Sequence, residues 1–199
     1  MAKRYFVVGI FNGLLFCLFL GLVFSFGPSL KSEIGYRLKK TVQPSPSPMP
    51  FPDLPAPDPY FSIVIPKIEA KAKILPNIDA AKPAEYQPAL MKGVAHAKGT
   101  VFPGMTGTIY LFAHSTDAPW NISRYNAVFY LLRELEIGDI IVIFFNSSRY
   151  NYIVSEKKIV ARTENDFFSQ KKEELLVLQT CYPPGTSQKA LLIFAKRTS

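Results

Sequence analysis

Eight of the sixteen residues from 44 to 59 are proline. Proline has no backbone N–H and a φ locked at about −65°, so a stretch this rich in it builds neither a helix nor an interior strand. It divides the chain, and whatever folds must lie on one side or the other. With serine, alanine and aspartate alternating between the prolines, it reads as an extended polyproline-II spacer of ~3.1 Å per residue, on the order of 50 Å in all. A tract without any role would have the same composition, so the proline content alone does not make it a stalk.

On the amino-terminal side, residues 5–26 carry no charge before Gly27-Pro28 breaks the run. That matches the ~20 residues a helix needs to cross the hydrocarbon core. A cleaved signal peptide would have an apolar region of only ~7 to 15 residues, and no small-x-small cleavage site follows Phe26. The expectation is therefore an uncleaved transmembrane helix over 5–26, behind a tail of residues 1–4 and ahead of a basic juxtamembrane segment and stalk over 27–59. Charge does not orient it, because Lys3 and Arg4 face Lys31, Arg37, Lys39 and Lys40 across the span.

From residue 60 to 199 the texture changes to short apolar runs punctuated by turn formers. Residues 61–65 end at Pro66 and residues 70–75 at Pro76. Residues 108–113 form a third run, and 139–145 pair with 150–154 across Asn146-Ser147-Ser148. Strands at this spacing indicate an all-β barrel or sandwich. Helix is expected to be minor: one turn over Pro83–Leu90, and a short helix over 123–135 with Ala127, Leu131 and Leu135 on one side. The net charge of +8 is spread, with 6 basic against 3 acidic residues up to 59 and 17 against 12 beyond it. No basic stripe interleaved with aromatics appears, which argues against nucleic acid and for a surface near anionic lipid or wall polymer.

Within that domain, residues 175–178 form an apolar run that leads through Gln179-Thr180 to Cys181. Pro183-Pro184-Gly185 then turns the chain, and residues 190–195 return as a second apolar run. The other cysteine, Cys17, lies in the apolar amino-terminal span, so Cys181 is a thiol and not half of a disulfide. A thiol at the exit of a strand is held where a substrate can reach it, as a nucleophile requires. A small buried hydrophobe would occupy the same position, and position alone does not separate the two.

Thr180-Cys181 after an apolar strand, the Pro-Pro-Gly-Thr turn, and Ala113-His114-Ser115 at the end of another strand together resemble the sortases, cysteine transpeptidases of bacterial cell surfaces. Gly93-Val94-Ala95-His96, Thr100-Val101-Phe102-Pro103-Gly104, Gly107-Thr108-Ile109-Tyr110-Leu111 and Gly138-Asp139 fit the same pattern, so the resemblance covers residues 60–196. The turn is most like that of class D/E-like members. The resemblance implies an all-β fold, a closed barrel of about eight strands with short helices behind one transmembrane anchor, and a catalytic domain outside the cell. It implies Cys181 as the nucleophile and His114 as the acid/base, with His96 at a position that is often histidine without being catalytic. The implied partners are secreted proteins with a carboxyl-terminal LPxTG-like sorting signal, and an amine on the cell wall precursor or on a pilin. No cofactor is implied, and no metal-ligand spacing supports one at Asp117, Glu164 or Asp166.

One position departs from the pattern. Relatives with this turn carry Lys-Arg eight and nine residues after the cysteine, where this chain has Lys189 and Ala190. Acyl transfer passes through an oxyanion, which an aimed guanidinium stabilises. By strand alternation Lys189 points away from the face that position 190 presents, unless a bulge exchanges them. Lys189 is the candidate substitute for the missing arginine. The alternatives are a weak enzyme, or a sortase-fold surface binding module that has lost catalysis.

Overall fold

The β-branched and aromatic runs of residues 60–199 build eight strands: β1 (Phe61–Ile65), β2 (Ala70–Ile78), β3 (Val94–Ala97), β4 (Thr108–Phe112), β5 (Ile140–Phe145), β6 (Ser148–Ala161), β7 (Leu175–Tyr182) and β8 (Lys189–Arg197). In the computed structural model, which describes residues 54–115, 128–161, 173–186 and 188–198 together with Asn12, Leu15 and Phe16, they close into a barrel. Its order is β1-β2-β3-β4-β7-β8-β6-β5, with β5 returning to β1. The pairs β2–β3 and β4–β7 are parallel and the rest antiparallel. From residue 54 onward the described residues hold one α-helix, α1 (Pro83–Leu90). The expected closed barrel of about eight strands is therefore what forms.

Alternation decides the core. Phe61, Ile63 and Ile65 of β1, Ile109 and Leu111 of β4, Leu176 and Leu178 of β7, and Leu191, Ile193 and Ala195 of β8 fill the barrel interior. The opposite faces of the same central strands are covered too: Tyr110, Val177, Leu192 and Phe194 form a second buried cluster outside the barrel wall. Burial on both faces is why residues 175–178 and 190–195 read as continuous apolar runs and not as alternating ones. Each fully buried aliphatic side chain contributes on the order of 1.5–3 kcal/mol. At Gly93 an added Cβ would lie 2.3 Å from the Lys73 carbonyl oxygen, so only glycine lets β3 approach β2.

Four expectations need correction. β2 does not stop at Pro76 but passes through a register break between Leu75 and Ile78, where Asn77 takes a positive φ of 57°. A bulge accommodates the proline that a regular ladder would reject. The β5–β6 turn is two residues, Asn146 and Ser147, both at positive φ, because Phe145 already pairs with Ser148. β6 does not end at residue 154 but runs on to Ala161 through Glu156, Lys157 and Lys158. Past Ile153 it has left β5 and pairs only with β8, so this edge can face water.

The fourth concerns residues 123–135. Of these, 128–135 are described and form a turn followed by a 3-10 helix, Leu132–Glu134. Phe129, Leu132 and Leu135 are the buried residues, a spacing of three that suits the tighter helix. The start of the domain is pinned by Asp58, whose Oδ1 accepts from the backbone N–H of Tyr60 (2.8 Å) and of Phe61 (3.3 Å). Its Oδ2 pairs with Lys73 at 3.0 Å, and that ammonium, ahead of the Tyr60 N–H, holds the carboxyl below its ordinary range. Among the described residues no helix is long and apolar enough to cross a membrane. The apolar run 5–26 lies outside them except for Asn12, Leu15 and Phe16.

Candidate active site

Cys181 is the penultimate residue of β7, half-buried at the end of a strand that runs between β4 and β8. Its rigidity comes from the residue before it. The Thr180 hydroxyl, 3% exposed, donates to the Ala113 carbonyl at 3.0 Å, and the Ala113 N–H donates to the Gln179 carbonyl at 3.2 Å. These two bonds extend the parallel β4–β7 ladder, whose last paired residues are Phe112 and Gln179. The next step of that register sets Ala113 beside Thr180, and His114 is the residue that follows Ala113, as Cys181 follows Thr180. His114 is half-buried there, with Ser115 buried behind it.

On the other side of β7 the antiparallel register opposes Cys181 to Ala190 and Tyr182 to Lys189, with no bulge between. The loop that joins them is a turn with a Pro184-Gly185 centre. Thr186 N–H donates to the Pro183 carbonyl at 3.0 Å, and Gly185 takes the φ of +83° that a type II turn demands of its third residue. Ala190 pairs onward with Val160 of β6. The row beside the thiol is thus Cys181, Ala190, Val160, and it carries no donor. Lys189 is exposed and lies on the other face with Tyr182, so this register gives no support to it as a stand-in for arginine.

The described arginines are engaged elsewhere. Arg197 pairs with Glu174 at 2.9 Å at the opposite end of β7, where Glu174 also accepts from the Tyr152 hydroxyl at 2.6 Å. Arg149 donates to Asn151 at 2.9 Å, and Arg133 to the Tyr130 carbonyl at 2.8 Å. Arg124 and Arg162 lie outside the described residues, as do Asp117, Glu164 and Asp166. Among the described residues no group of side chains is suited to hold a metal ion.

His96 has a different environment. It is fully buried, its ring stacked on Phe102 at 4.5 Å between centroids and edge-on to Phe61 at 5.8 Å. The Asn77 N–H donates to Nδ1 at 3.3 Å, so Nε2 carries the proton and donates to the Val101 carbonyl at 3.0 Å. Burial pushes its pKa down, against the smaller upward pull of the Val101 carbonyl. A neutral ring with both nitrogens satisfied in this way is a structural histidine.

Sequence reasoning overlooked one pair. The Tyr110 hydroxyl donates to Oε1 of Gln179, and the two residues sit on the face that carries Cys181. The signal was present in the spacing, since Gln179 precedes Cys181 by two on one strand.

Cys181 thus lies at the end of one strand of a closed eight-strand barrel, and His114 just past the end of the parallel strand beside it. A Sortase domain model matches residues 63–198, and the chain belongs to the sortase family. Among particular relatives it is 31% identical over 139 residues to Sortase D of Bacillus subtilis, covering 68% of this chain and 62% of that protein's length. Sortase C-1 of Actinomyces oris superposes with a TM-score of 0.60 at 26% identity, over 72% of this chain and 76% of that one. A Clostridium perfringens Sortase D5 transpeptidase shares the fold over 86% of this chain and 93% of its own, with a TM-score of 0.58 at 20% identity.

Proposed function

We propose that the chain is a membrane-anchored transpeptidase in which Cys181 is the nucleophile and His114 the acid/base. The Cys181 thiolate attacks the scissile carbonyl of a sorting signal near the carboxyl end of a secreted protein. A C–S bond forms, the C–N bond breaks, and the departing amine takes the proton of the His114 imidazolium. An incoming amine, on a wall precursor or a pilin, then attacks the thioester and gives its proton to the neutral His114, and Cys181 leaves as thiolate. The observation that carries the reading is the Thr180–Ala113 clamp, which joins the two strands one residue before Cys181 and one residue before His114.

The apolar run 5–26 would anchor the chain as a single transmembrane helix, and residues 27–59 would hold the barrel away from the bilayer on the outer side. The test is a covalent adduct: an LPxTG-type peptide incubated with the purified chain should appear as a thioester at Cys181 by mass spectrometry and discharge to added amine. Release by water with no amine-dependent product would make it a hydrolase. The donor-free row of Cys181, Ala190 and Val160 favours one second reading, a sortase-fold binding module without turnover, which would bind such peptides and never form the adduct.

A further inference from the structure

A carbonyl that arrives at Cys181 needs a donor for its oxygen, and on this face the choice is narrow. Ala190 and Val160 offer none, and neither do Phe112 or Leu192, which flank Gln179 on β4 and β8. Lys158, opposite Leu192 on the same face, is paired with Glu156 at 2.8 Å and lies over the Phe194 ring, toward the far end of the strand from the thiol. Gln179 remains. It is two residues from Cys181 on one strand, with Cα atoms ~6.6 Å apart and side chains on one side.

Its carboxamide is also aimed. The Tyr110 hydroxyl donates to Oε1, which leaves both Nε2 hydrogens directed away from Tyr110. Tyr110 is buried, and burial pushes its pKa up, so that hydroxyl stays a donor. A side chain held this way before substrate arrives loses less rotamer freedom on binding. We propose that Gln179 Nε2 donates to a carbonyl of the acyl half of the peptide at Cys181, supplying part of what an arginine at position 190 supplies in relatives. This rests on the transpeptidase reading. A neutral amide is a weaker donor than a guanidinium, so the enzyme it serves is a slow one.

The experiment uses the purified full chain, a panel of LPxTG-type peptides, and hydroxylamine as an acceptor that needs no binding site. Gln179→Leu and the isosteric Gln179→Glu should each lower kcat/KM by about tenfold, the effect of one neutral hydrogen bond to substrate. Tyr110→Phe, which frees the amide without removing it, should lower it by about threefold. The rate of Cys181 alkylation by iodoacetamide should stay at the parental value in Gln179→Leu and Tyr110→Phe, whereas the carboxylate of Gln179→Glu should slow it by disfavouring the thiolate. Adding Ala190→Arg to Gln179→Leu should restore the lost rate.

In the Cys181→Ala chain, where no turnover intervenes, Gln179→Leu should weaken peptide binding by about the same tenfold. Parental kcat/KM and parental binding in both Gln179 variants, with unchanged melting midpoints, would overturn the inference and leave the transpeptidase reading intact. A parent that binds the peptides but never forms the thioester would end the transpeptidase reading, and the binding comparison would still judge Gln179. No binding by any peptide would refute both. If Gln179→Leu fails to fold, the isosteric Glu variant decides.

Discussion

Ala190→Arg is expected to make this a faster enzyme, and the register says why. Position 190 lies directly opposite Cys181, so the two Cβ atoms are ~4.5–5.5 Å apart on one face. An arginine there would lay its fork along the row toward the thiol, where the oxyanion develops. One aimed donor is worth ~10² to 10³ in rate, about 2.7–4 kcal/mol of transition-state stabilisation. Against this stands the packing. Ala190 is 5% exposed, beside Val160 and Leu192, and overfilling such a site costs about 1–3 kcal/mol. That cost falls on folding and not on the chemical step, so the melting midpoint should drop by ~3–10 °C while kcat/KM rises. The assay is kcat/KM on a sorting-signal peptide for the parent, Ala190→Arg and Lys189→Ala, with melting curves alongside. Lys189→Ala should change little, because Lys189 shares its face with Tyr182. A folded Ala190→Arg that is no faster, together with a dead Lys189→Ala, would refute this reasoning and assign the donor role to Lys189.

Cys181→Ala should abolish the peptide adduct and His114→Ala the turnover, whereas His96→Ala should keep most activity and lose stability. A folded His96→Ala more damaged than His114→Ala would exchange the two assignments. Because burial holds the folded pKa of His96 below its ordinary 6.5, the unfolded chain binds the extra proton first. Stability is thus full above about pH 6.5 and falls below it by at most ~1.4 kcal/mol per pH unit. Urea midpoints between pH 5 and 8 should show this slope in the parent and lose it in His96→Gln. Thr180→Val keeps the shape but removes the bond to Ala113, so it should cost about 1–3 kcal/mol and slow the chemistry without blocking Cys181 alkylation. A membrane-impermeant maleimide should label Cys181 on intact cells, and protection until lysis would contradict an external domain.

Much of the barrel was legible because its wall is made of residues whose type announces a strand. Residues 61–65, 108–113 and 139–145 carry β-branched and aromatic side chains between turn formers, and each became a strand to within one residue of those bounds. What stayed hidden had a tertiary cause. Glu156, Lys157 and Lys158 lay beyond the strand expected over 150–154, since nothing local says that β6 outruns β5 and becomes an edge whose side chains reach water. Pro76 read as a stop because the bulge that accommodates it depends on β3 lying alongside.

The site divides along the same line. Cys181 and His114 each stand at a strand exit and were singled out by the family resemblance, but what joins their strands is a parallel β4–β7 ladder between segments some 67 residues apart, tied by Thr180 to Ala113. No local pattern encodes that pairing. The same holds for the departure at position 190. Alternation alone says that Ala190 and Lys189 face opposite ways, yet only the cross-strand register says that Ala190 is the one that meets the thiol. Once that register is fixed, the alanine turns from a mismatch in a motif into a physical statement: the row beside Cys181 lacks a donor. Any acyl transfer at this thiol must then draw its oxyanion or substrate donor from along β7 or from outside the row. Gln179, already oriented by Tyr110, is the group along β7 that can provide it.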